Sequence, residues 1–345
     1  GKDSDKLFIH VGRASIYFSS DRRTSVNYEL FRMDTDGNNQ AQVTVGSAPA
    51  DDLFPSLVPD TRGKLAFASD QASPGLAFFD IFVANPDGTL PSNLTVAQTD
   101  SHEIEPSWAP DGSQIAFASN QSASFEIFIM DADGTDSTPL TTTAAGGKAV
   151  APAISPDGSR IAFSANCDAI AVSSGKASVS SCGSDFEIFV MAVNSSNTVT
   201  AVAKLTSNTT DDGAVGPDLG PAGLNLTPVN LGFGLSTLSW SRDGTKLAYT
   251  SHAGASADIS VCDFSATTNA CTTASPVPNA SDSGFEEFDP YWFTDAGVEK
   301  LAFTTNRPIG GTAYEIWKVK TDGSGLTQLT SLGANVQPAG EEIRK

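Results

Sequence analysis

Residues 105–141 read EPSWAPDGSQIAFASNQSASFEIFIMDADGTDSTPLT, and this stretch decides the fold. It contains short runs in which apolar and β-branched residues alternate with small or polar ones, the period-two pattern that predicts strands. No helical period interrupts them. The runs are Pro106–Trp108, Ile115–Ser119, Glu126–Met130 and the closing Leu140-Thr141.

Turn signals separate these runs. Pro110-Asp111-Gly112 lies between the first two strands, and Asp131–Gly134 lies between the last two. Aspartate bonds back to the backbone of its own turn and glycine accepts a positive φ, so both segments predict tight hairpins. The stretch therefore predicts four antiparallel strands joined in sequence.

The second of these runs recurs along the chain, which predicts a repeat architecture. Its six copies are Ile16–Ser20, Leu65–Ser69, Ile115–Ser119, Ile161–Ala165, Leu247–Ser251 and Leu301–Thr305. Their spacings are 49, 50, 46, 86 and 54 residues, and two insertions account for the long fourth interval. The copy number is therefore six.

Six four-stranded repeats predict an all-β, six-bladed β-propeller of antiparallel blades, because radial packing buries both faces of each sheet. We expect Ile9 to take the place of Trp108 in the first strand of blade one, so that the ring closes without an exchanged strand. The predicted blades span residues 7–45, 53–96, 104–142, 150–206, 237–278 and 288–330, with an insertion at 207–236 and a tail at 331–345.

The consensus of these copies, P-x-W-S-P-D-G-x-x-I-A-F-x-S followed by E-I-F-x-M-D-x-D-G and L-T, resembles the TolB-like propeller repeat. Such propellers include the periplasmic TolB protein, which binds other proteins, the propeller caps of prolyl-oligopeptidase-type enzymes, and some polysaccharide lyases. The resemblance therefore implies the fold and leaves the function open. No G-x-S-x-G nucleophile motif is present, which argues against the oligopeptidase reading.

Composition limits the partners. The 345 residues carry 40 acidic against 20 basic side chains, for a net charge of −20. This charge repels nucleic acid phosphates and anionic lipids. No run of 18 apolar residues occurs, so we expect no membrane insertion and no nucleic acid partner.

The four cysteines form two close pairs, Cys167 with Cys182 and Cys262 with Cys271. Neither pair has CxxC spacing, so two local disulfides are favoured over zinc ligands or free thiols. Disulfides predict an oxidising compartment, either the periplasm or the extracellular space.

Loops between blades and loops between second and third strands share one face of a propeller, called here the top face. Two insertions are predicted there as candidate binding loops, Asn166–Phe186 and Ser207–Thr237. Leu76 and Phe78 are candidate partner-facing apolar residues in the top loop of blade two.

Acidic residues and histidines also gather at the top-face blade entries. Carboxylate pairs there could bind Ca²⁺ or act on glycosidic bonds, and the alternative is a solvated acidic rim. His102 and His252 could also ligate a metal, as histidines do in the propeller lyases that the fold resembles. The acids and histidines are Asp51, Asp52, His102, Glu103, Glu105, His252, Asp282, Glu286, Glu287 and Asp289.

A further acid heads every third strand, at Glu29, Asp80, Glu126, Glu187, Asp258 and Glu315. Catalysis needs one site rather than six, so this ring is interpreted as a hydrogen-bonding device of each blade. Because the blades share the same residues and no single catalytic group of residues stands out, we expect a non-catalytic protein-binding or assembly module without a cofactor. The alternatives are a carbohydrate-active hydrolase or lyase using Glu103, Glu105, Glu286 and Glu287, and self-assembly through Ser331–Lys345.

Overall fold

The computed structural model describes residues 9–11, 15–20, 28–44, 50–58, 63–72, 78–96, 100–207, 237–252, 256–281, 284–307 and 314–331. These residues form 25 strands in six mainly antiparallel sheets arranged as a six-bladed β-propeller, which confirms the predicted fold class. Nowhere in the described part of the chain does a helix occur that could cross a membrane.

Blades one to three follow the simple pattern of four consecutive strands. Blade one contains β1 (Ile9–Val11), β2 (Ser15–Ser20), β3 (Glu29–Asp34) and β4 (Ala41–Gln42). Blade two contains β5 (Asp52–Leu57), β6 (Leu65–Ser69), β7 (Asp80–Ala84) and β8 (Ser92–Asn93). Blade three contains β9 (Glu103–Trp108), β10 (Gln114–Ser119), β11 (Glu126–Asp131) and β12 (Thr138–Pro139), and β13 (Thr141–Thr143) leads into blade four.

Blades four to six have longer strands. Blade four contains β14 (Ala149–Ile154), β15 (Arg160–Ser173), β16 (Lys176–Val193) and β17 (Val199–Lys204). Blade five contains β18 (Ser239–Trp240), β19 (Lys246–Ser251), β20 (Asp258–Ser265) and β21 (Ala270–Pro276). Blade six contains β22 (Glu287–Asp295), β23 (Val298–Thr305), β24 (Glu315–Val319) and β25 (Thr327–Gln328).

The interior of each regular blade is built on one cross-strand pair of aromatic rings. In blade three, Phe117 of β10 is paired in register with Phe128 of β11, and their ring centroids lie 5.7 Å apart. Both are buried, as expected for a core position worth about 1.5–3 kcal/mol of transfer free energy per side chain. Equivalent stacked pairs are Phe18–Phe31, Phe67–Phe82 and Phe163–Phe189.

The ring closes by packing of blade six against blade one. Phe18 shares a buried cluster with Ile316 and Leu329, and a Cβ at Gly37 would lie only 2.4 Å from the Leu329 carbonyl oxygen. All described strands of blade one are consecutive in the chain, so no exchanged strand contributes there. The predicted register of β1 is wrong by two residues.

The register error has a simple cause. Val11, and not Ile9, pairs with Ile16 as Trp108 pairs with Ile115 in blade three. The segment that joins β1 to β2 is shorter than its counterpart in blade three, so the first strand is displaced along its partner.

The acids that head the third strands bind within their own blades, as predicted, in five of the six cases. In blade three, Thr141 Oγ1 donates to Glu126 Oε2 at 2.5 Å and accepts the Ile127 N–H at 2.9 Å. This links the end of the repeat to its third strand. The same threonine-to-carboxylate bonds join Thr44 to Glu29, Thr95 to Asp80, Thr206 to Glu187 and Thr330 to Glu315.

The insertion Asn166–Phe186, predicted as a loop, is instead a β-hairpin, called here the blade-four hairpin. It prolongs β15 and β16, and its strands stay paired as far as Ser173 and Lys176. Ala177 and Val179 on it are buried, and β13 pairs with it in parallel. The insertion thus continues the two middle strands of blade four, and it pairs with the segment that leads out of blade three.

Both predicted disulfides are present. Cys167 and Cys182 face each other across the blade-four hairpin, and Cys262 and Cys271 join the two outer strands of blade five. The Cys262–Cys271 bridge lies in blade five, which lacks the closing Leu-Thr. The disulfide therefore joins the outer strands of this blade, where a threonine-to-carboxylate hydrogen bond does so in the other blades. Two disulfides indicate folding in an oxidising compartment.

Candidate functional site: the central channel

The first strands of the blades surround a central channel that runs from the top face to the Asp-Gly turns. A cavity of about 820 Å³ occupies the part of the channel nearer those turns. Strands from blades two to six line it, and its walls are mostly aromatic and proline side chains. The aromatic residues are Phe54, Trp108, Trp240, Tyr291, Trp292 and Phe293.

A β-bulge interrupts the first strand at the inner end of this cavity. In blade three, the register of β9 on β10 shifts at this point, and Glu105 has φ 55° before Pro106. Proline suits a bulge because it has no N–H to pair, and the bulge re-aims the residue that precedes it. The equivalent positive-φ residues are Phe54, Ala151 and Asp289, each followed by proline.

Two of these bulge positions carry carboxylates that bind the backbone of a neighbouring blade. Glu105 Oε2 accepts the Ala151 N–H at 2.7 Å, and Asp289 Oδ1 accepts the Thr237 N–H at 3.0 Å. The second oxygen of Glu105, Oε1, is buried and has no hydrogen-bond partner among the described residues, and neither has Thr237 Oγ1. The channel therefore contains one carboxylate oxygen and one hydroxyl that are free to bind a donor.

Burial decides the protonation of this carboxyl. It raises the pKa of Glu105 to about 8, and the nearby Asp289 adds to the increase while the Ala151 N–H opposes it. At neutral pH, Glu105 is therefore mainly protonated unless a positive charge enters the channel.

Backbone clamps hold the top end of the channel. The His102 N–H donates to Asn120 Oδ1 at 2.7 Å, and the Glu286 N–H donates to Asn306 Oδ1 at 2.9 Å. Asp51 and Lys148 are held in the same way by Asp70 and Asn166. In each of these blades, the backbone N–H just before the first strand therefore donates to the side chain that directly follows the repeated run of the second strand.

The two candidate histidines lie on different sides of the ring, and both are buried. The His102 ring is 5.1 Å from that of Phe78 and 6.2 Å from that of Phe79, and burial lowers the pKa of His102 to about 4. The His252 ring is 6.3 Å from that of Phe288. Within the described ranges, no three histidine, cysteine or acidic side chains are placed to hold a metal ion together.

The candidate acids at the blade entries bind inside the protein. Glu103 Oε1 accepts bonds from Ser101 and Ser119, and burial raises its pKa to about 7. Glu287 Oε1 accepts the Arg307 Nε–H at 3.0 Å, and Nη2 of the same guanidinium lies 2.9 Å from this oxygen as an ion pair.

Asp52 is buried as well, and its pKa is raised to about 7. Glu286, which is only partly buried, accepts a bond from the Tyr314 hydroxyl. Leu76 and Asp282 lie outside the described residues, as do residues 208–236 of the second insertion and 332–345 of the tail.

Sequence reasoning missed the cavity at the turn end of the channel and the role of Thr237 in it. A signal was present. An acid stands before proline in both Glu105-Pro106 and Asp289-Pro290, and a tryptophan follows two residues later. This acid-Pro-x-Trp pattern marks the residues that line the channel, and it becomes visible only when the first strands of the blades are aligned with one another.

An all-β propeller with buried carboxylates along its axis defines the class of protein. Residues 12–168 match the model of the TolB beta propeller domain family, which confirms the TolB-like repeat over that part of the chain. No curated protein matches the sequence.

Solved structures agree on the fold. TolB from Acinetobacter baumannii aligns with a TM-score of 0.58 at 17% identity, over 93% of this chain and 62% of that one. A puromycin-hydrolyzing peptidase of Mycobacterium tuberculosis aligns at 0.55 and 12% identity, over 96% and 53%. A nidogen/laminin complex structure aligns at 0.54 and 10% identity, over 93% and 92%. This chain thus spans only part of the first two, and the likeness concerns the fold alone.

Proposed function

We propose that this chain is an exported, non-catalytic propeller that binds another protein through its top face. The observation that carries the proposal is a pair of half-buried aromatic side chains on that face. Phe78 lies against His102, with ring centroids 5.1 Å apart, and Arg307 lies over the ring of Phe285 at 5.1 Å. Aromatic residues and arginine are the side chains most enriched at the energetic centres of protein interfaces.

The positions of the two aromatics favour a broad contact. Phe78 belongs to the boundary between blades two and three, and Phe285 to the boundary between blades five and six, on opposite sides of a six-membered ring. A partner seated across the top face would touch both. The TolB match and the nidogen/laminin complex are precedents for propellers that take part in protein assemblies.

The test is affinity capture from an extract of the source organism with three versions of the chain. Phe78→Ala and Phe285→Ala each remove one aromatic contact from the top face. Leu90→Ala is the matched control, because Leu90 is 77% exposed in the same blade as Phe78 but lies in the turn at the opposite face. We expect a partner that the wild type and Leu90→Ala retain and that both phenylalanine variants lose.

A partner bound equally by all four proteins would place the contact elsewhere, and loss with Leu90→Ala alone would move it to the turn face. The carbohydrate-active and self-assembly alternatives stay predictions. Incubation with acidic and neutral polysaccharides tests the first, and the solution mass of the chain with and without residues 331–345 tests the second.

A further inference from the structure

We propose that the turn-end cavity of the channel binds an alkylammonium group, such as a lysine side chain, with the Glu105 carboxylate as its counter-charge. The site is at the other end of the channel from the top face, so this inference stands independently of the proposed function. Three observations carry it: an unpaired buried acceptor, an aromatic wall and a fitting volume.

The acceptor is the first observation. Glu105 is only 5% exposed, it lines the cavity, and its Oε1 has no hydrogen-bond partner among the described residues. Thr237 Oγ1, which lines the same cavity from blade five, also lacks one there. Leaving a buried carboxylate oxygen unpaired is costly, so a site of this kind is completed by a donor. An ammonium supplies three donors together with the opposite charge.

The wall is the second observation. Trp108, Trp240 and Trp292 come from three different blades and are all buried around the same cavity. Indole rings attract cations, and they also pack well against the methylene stem of a lysine. An anionic ligand would be repelled by Asp289, whose charge acts on Glu105, and a purely apolar ligand would leave the Glu105 oxygen unpaired.

The volume is the third observation. A cavity of about 820 Å³ is large enough for a lysine side chain together with its flanking backbone. Among the described residues, the charged side chains at its mouth are Arg242 and Glu299, which are both exposed and of opposite sign. Neither lies at the inner end, where the carboxylates are.

Binding must be coupled to proton release. Glu105 is faced by Asp289 of blade six, by the Ala151 N–H of blade four and by Thr237 of blade five, with no cation among them. Its pKa of about 8 keeps it largely protonated at pH 7 in the free protein. An arriving ammonium favours the carboxylate, so the proton leaves to the buffer.

The experiment uses the full chain and N-acetyl-Gly-Lys-Gly-amide, with the norleucine peptide as the uncharged isostere. Titration calorimetry measures affinity, and repeating it in phosphate and in MOPS, a buffer without a primary amine and with a different ionisation enthalpy, measures released protons. Tryptophan fluorescence reports entry, because three of the four tryptophans line the cavity. We expect the lysine peptide to bind at least about tenfold more tightly than the norleucine peptide, with proton release.

Two variants make the assignment specific. Glu105→Gln should weaken lysine binding about tenfold and abolish proton release, since it removes the counter-charge. Glu103→Gln is the matched control, because Glu103 is a buried acid of the same strand that binds Ser101 and Ser119 instead of lining the cavity. Thermal unfolding of both variants checks that they fold, and Asp289→Asn replaces Glu105→Gln if that variant does not.

1,5-Diaminopentane distinguishes the source of the ammonium. If it binds with the same dependence on Glu105 and the peptide does not, the ligand is a free amine and the chemistry stands. Equal affinity for the lysine and norleucine peptides, unchanged binding by Glu105→Gln, or binding by neither amine at millimolar concentration would overturn the proposal.

Discussion

The boundary between blades two and three and the boundary between blades five and six contain the same pair of neighbouring acids with different partners. In the first, Glu103 lies near Asp80, and in the second, Glu287 lies near Asp258. Burial raises the pKa of Glu103 and of Glu287 to about 7, and the neighbouring acid adds to each increase. Only Glu287 has a cation, Arg307, beside it.

The difference shows that a buried acid at the same position of the repeat can be stabilised by two different kinds of hydrogen-bond donor. Ser101 and Ser119 each donate one hydroxyl bond to Glu103, at 2.7 and 2.8 Å. Arg307 Nε donates to Glu287 Oε1 at 3.0 Å, and the Thr305 hydroxyl donates to the same oxygen at 3.4 Å. Because both carboxyls reach a pKa of about 7, two hydroxyl donors offset burial about as well as one guanidinium and one hydroxyl do. The hydroxyl solution has the advantage that it leaves no buried cation when the acid is protonated.

The largest expected effect is that of Arg307→Ala. Removing the guanidinium leaves the fully buried Glu287 carboxylate without its cation, which should lower the free energy of unfolding by about 3 kcal/mol at pH 8. The loss should shrink at pH 5.5, where Glu287 is protonated in both proteins. Urea unfolding at the two pH values measures it.

Lys300→Ala is the control for that variant. Lys300 pairs with Asp295 where both side chains are partly exposed, at 17% and 20%, and Asp295 keeps Lys318. We expect a loss below about 1 kcal/mol. Equal losses in the two variants would mean that the Arg307 pair behaves as a surface pair.

A smaller effect is expected from pH alone. The folded pKa values of Asp52, Glu103 and Glu105 lie at about 7, 7 and 8, above those of the unfolded chain. The folded state therefore binds more protons between about pH 4 and pH 8, and stability falls as pH rises through that range. We expect the free energy of unfolding to be lower at pH 8 than at pH 5.

Below that range the sign reverses. Hydrogen bonds in the turns lower the pKa of Asp87, Asp133 and Asp243, so their contribution is present above pH 4 and is lost in stronger acid. Calorimetric unfolding from pH 3 to pH 9 should give a maximum Tm near pH 4. A Tm that rises steadily to pH 8 would contradict the buried-acid account.

The smallest effect isolates the hydroxyl boundary. Glu103→Gln keeps an acceptor for Ser101 and Ser119 but removes the charge, so we expect a gain of about 1 kcal/mol at pH 8 and none at pH 5. The same unfolding measurements test this. A loss at pH 8 would mean that the ionised carboxylate stabilises this boundary.

Much of the architecture could be predicted because its signals are local. The Asp-Gly turns, the alternating runs and their spacing predicted six blades, and in five blades the acid at the head of the third strand binds within its own blade as predicted. The blade-four hairpin was misread as a loop because a Ser/Ala/Gly-rich segment has weak alternation. The register of β1 was misread because its turn is shorter than the repeat predicts.

The candidate site could be predicted only in part. Residue type identified Glu103, Glu105, Glu287 and Asp289 as unusual acids near blade entries, but all four looked alike in the sequence. In the structure, Glu103 and Glu287 bind at blade boundaries, whereas Glu105 keeps a free oxygen in the channel. The positive φ of Glu105 in the bulge before Pro106 directs its side chain differently from that of Glu103. A pattern of residue types does not reveal backbone φ values.

The sequence by itself determined the strands, the turns, the number of blades and the two disulfides, since each depends on residues close together in the chain. Tertiary structure alone decided which carboxyls are neutralised and which tryptophans share a cavity. Those properties depend on burial and on distances between first strands about fifty residues apart or more. Radial packing brings these strands together around one axis, and desolvation there sets the charge of whatever side chains it encloses.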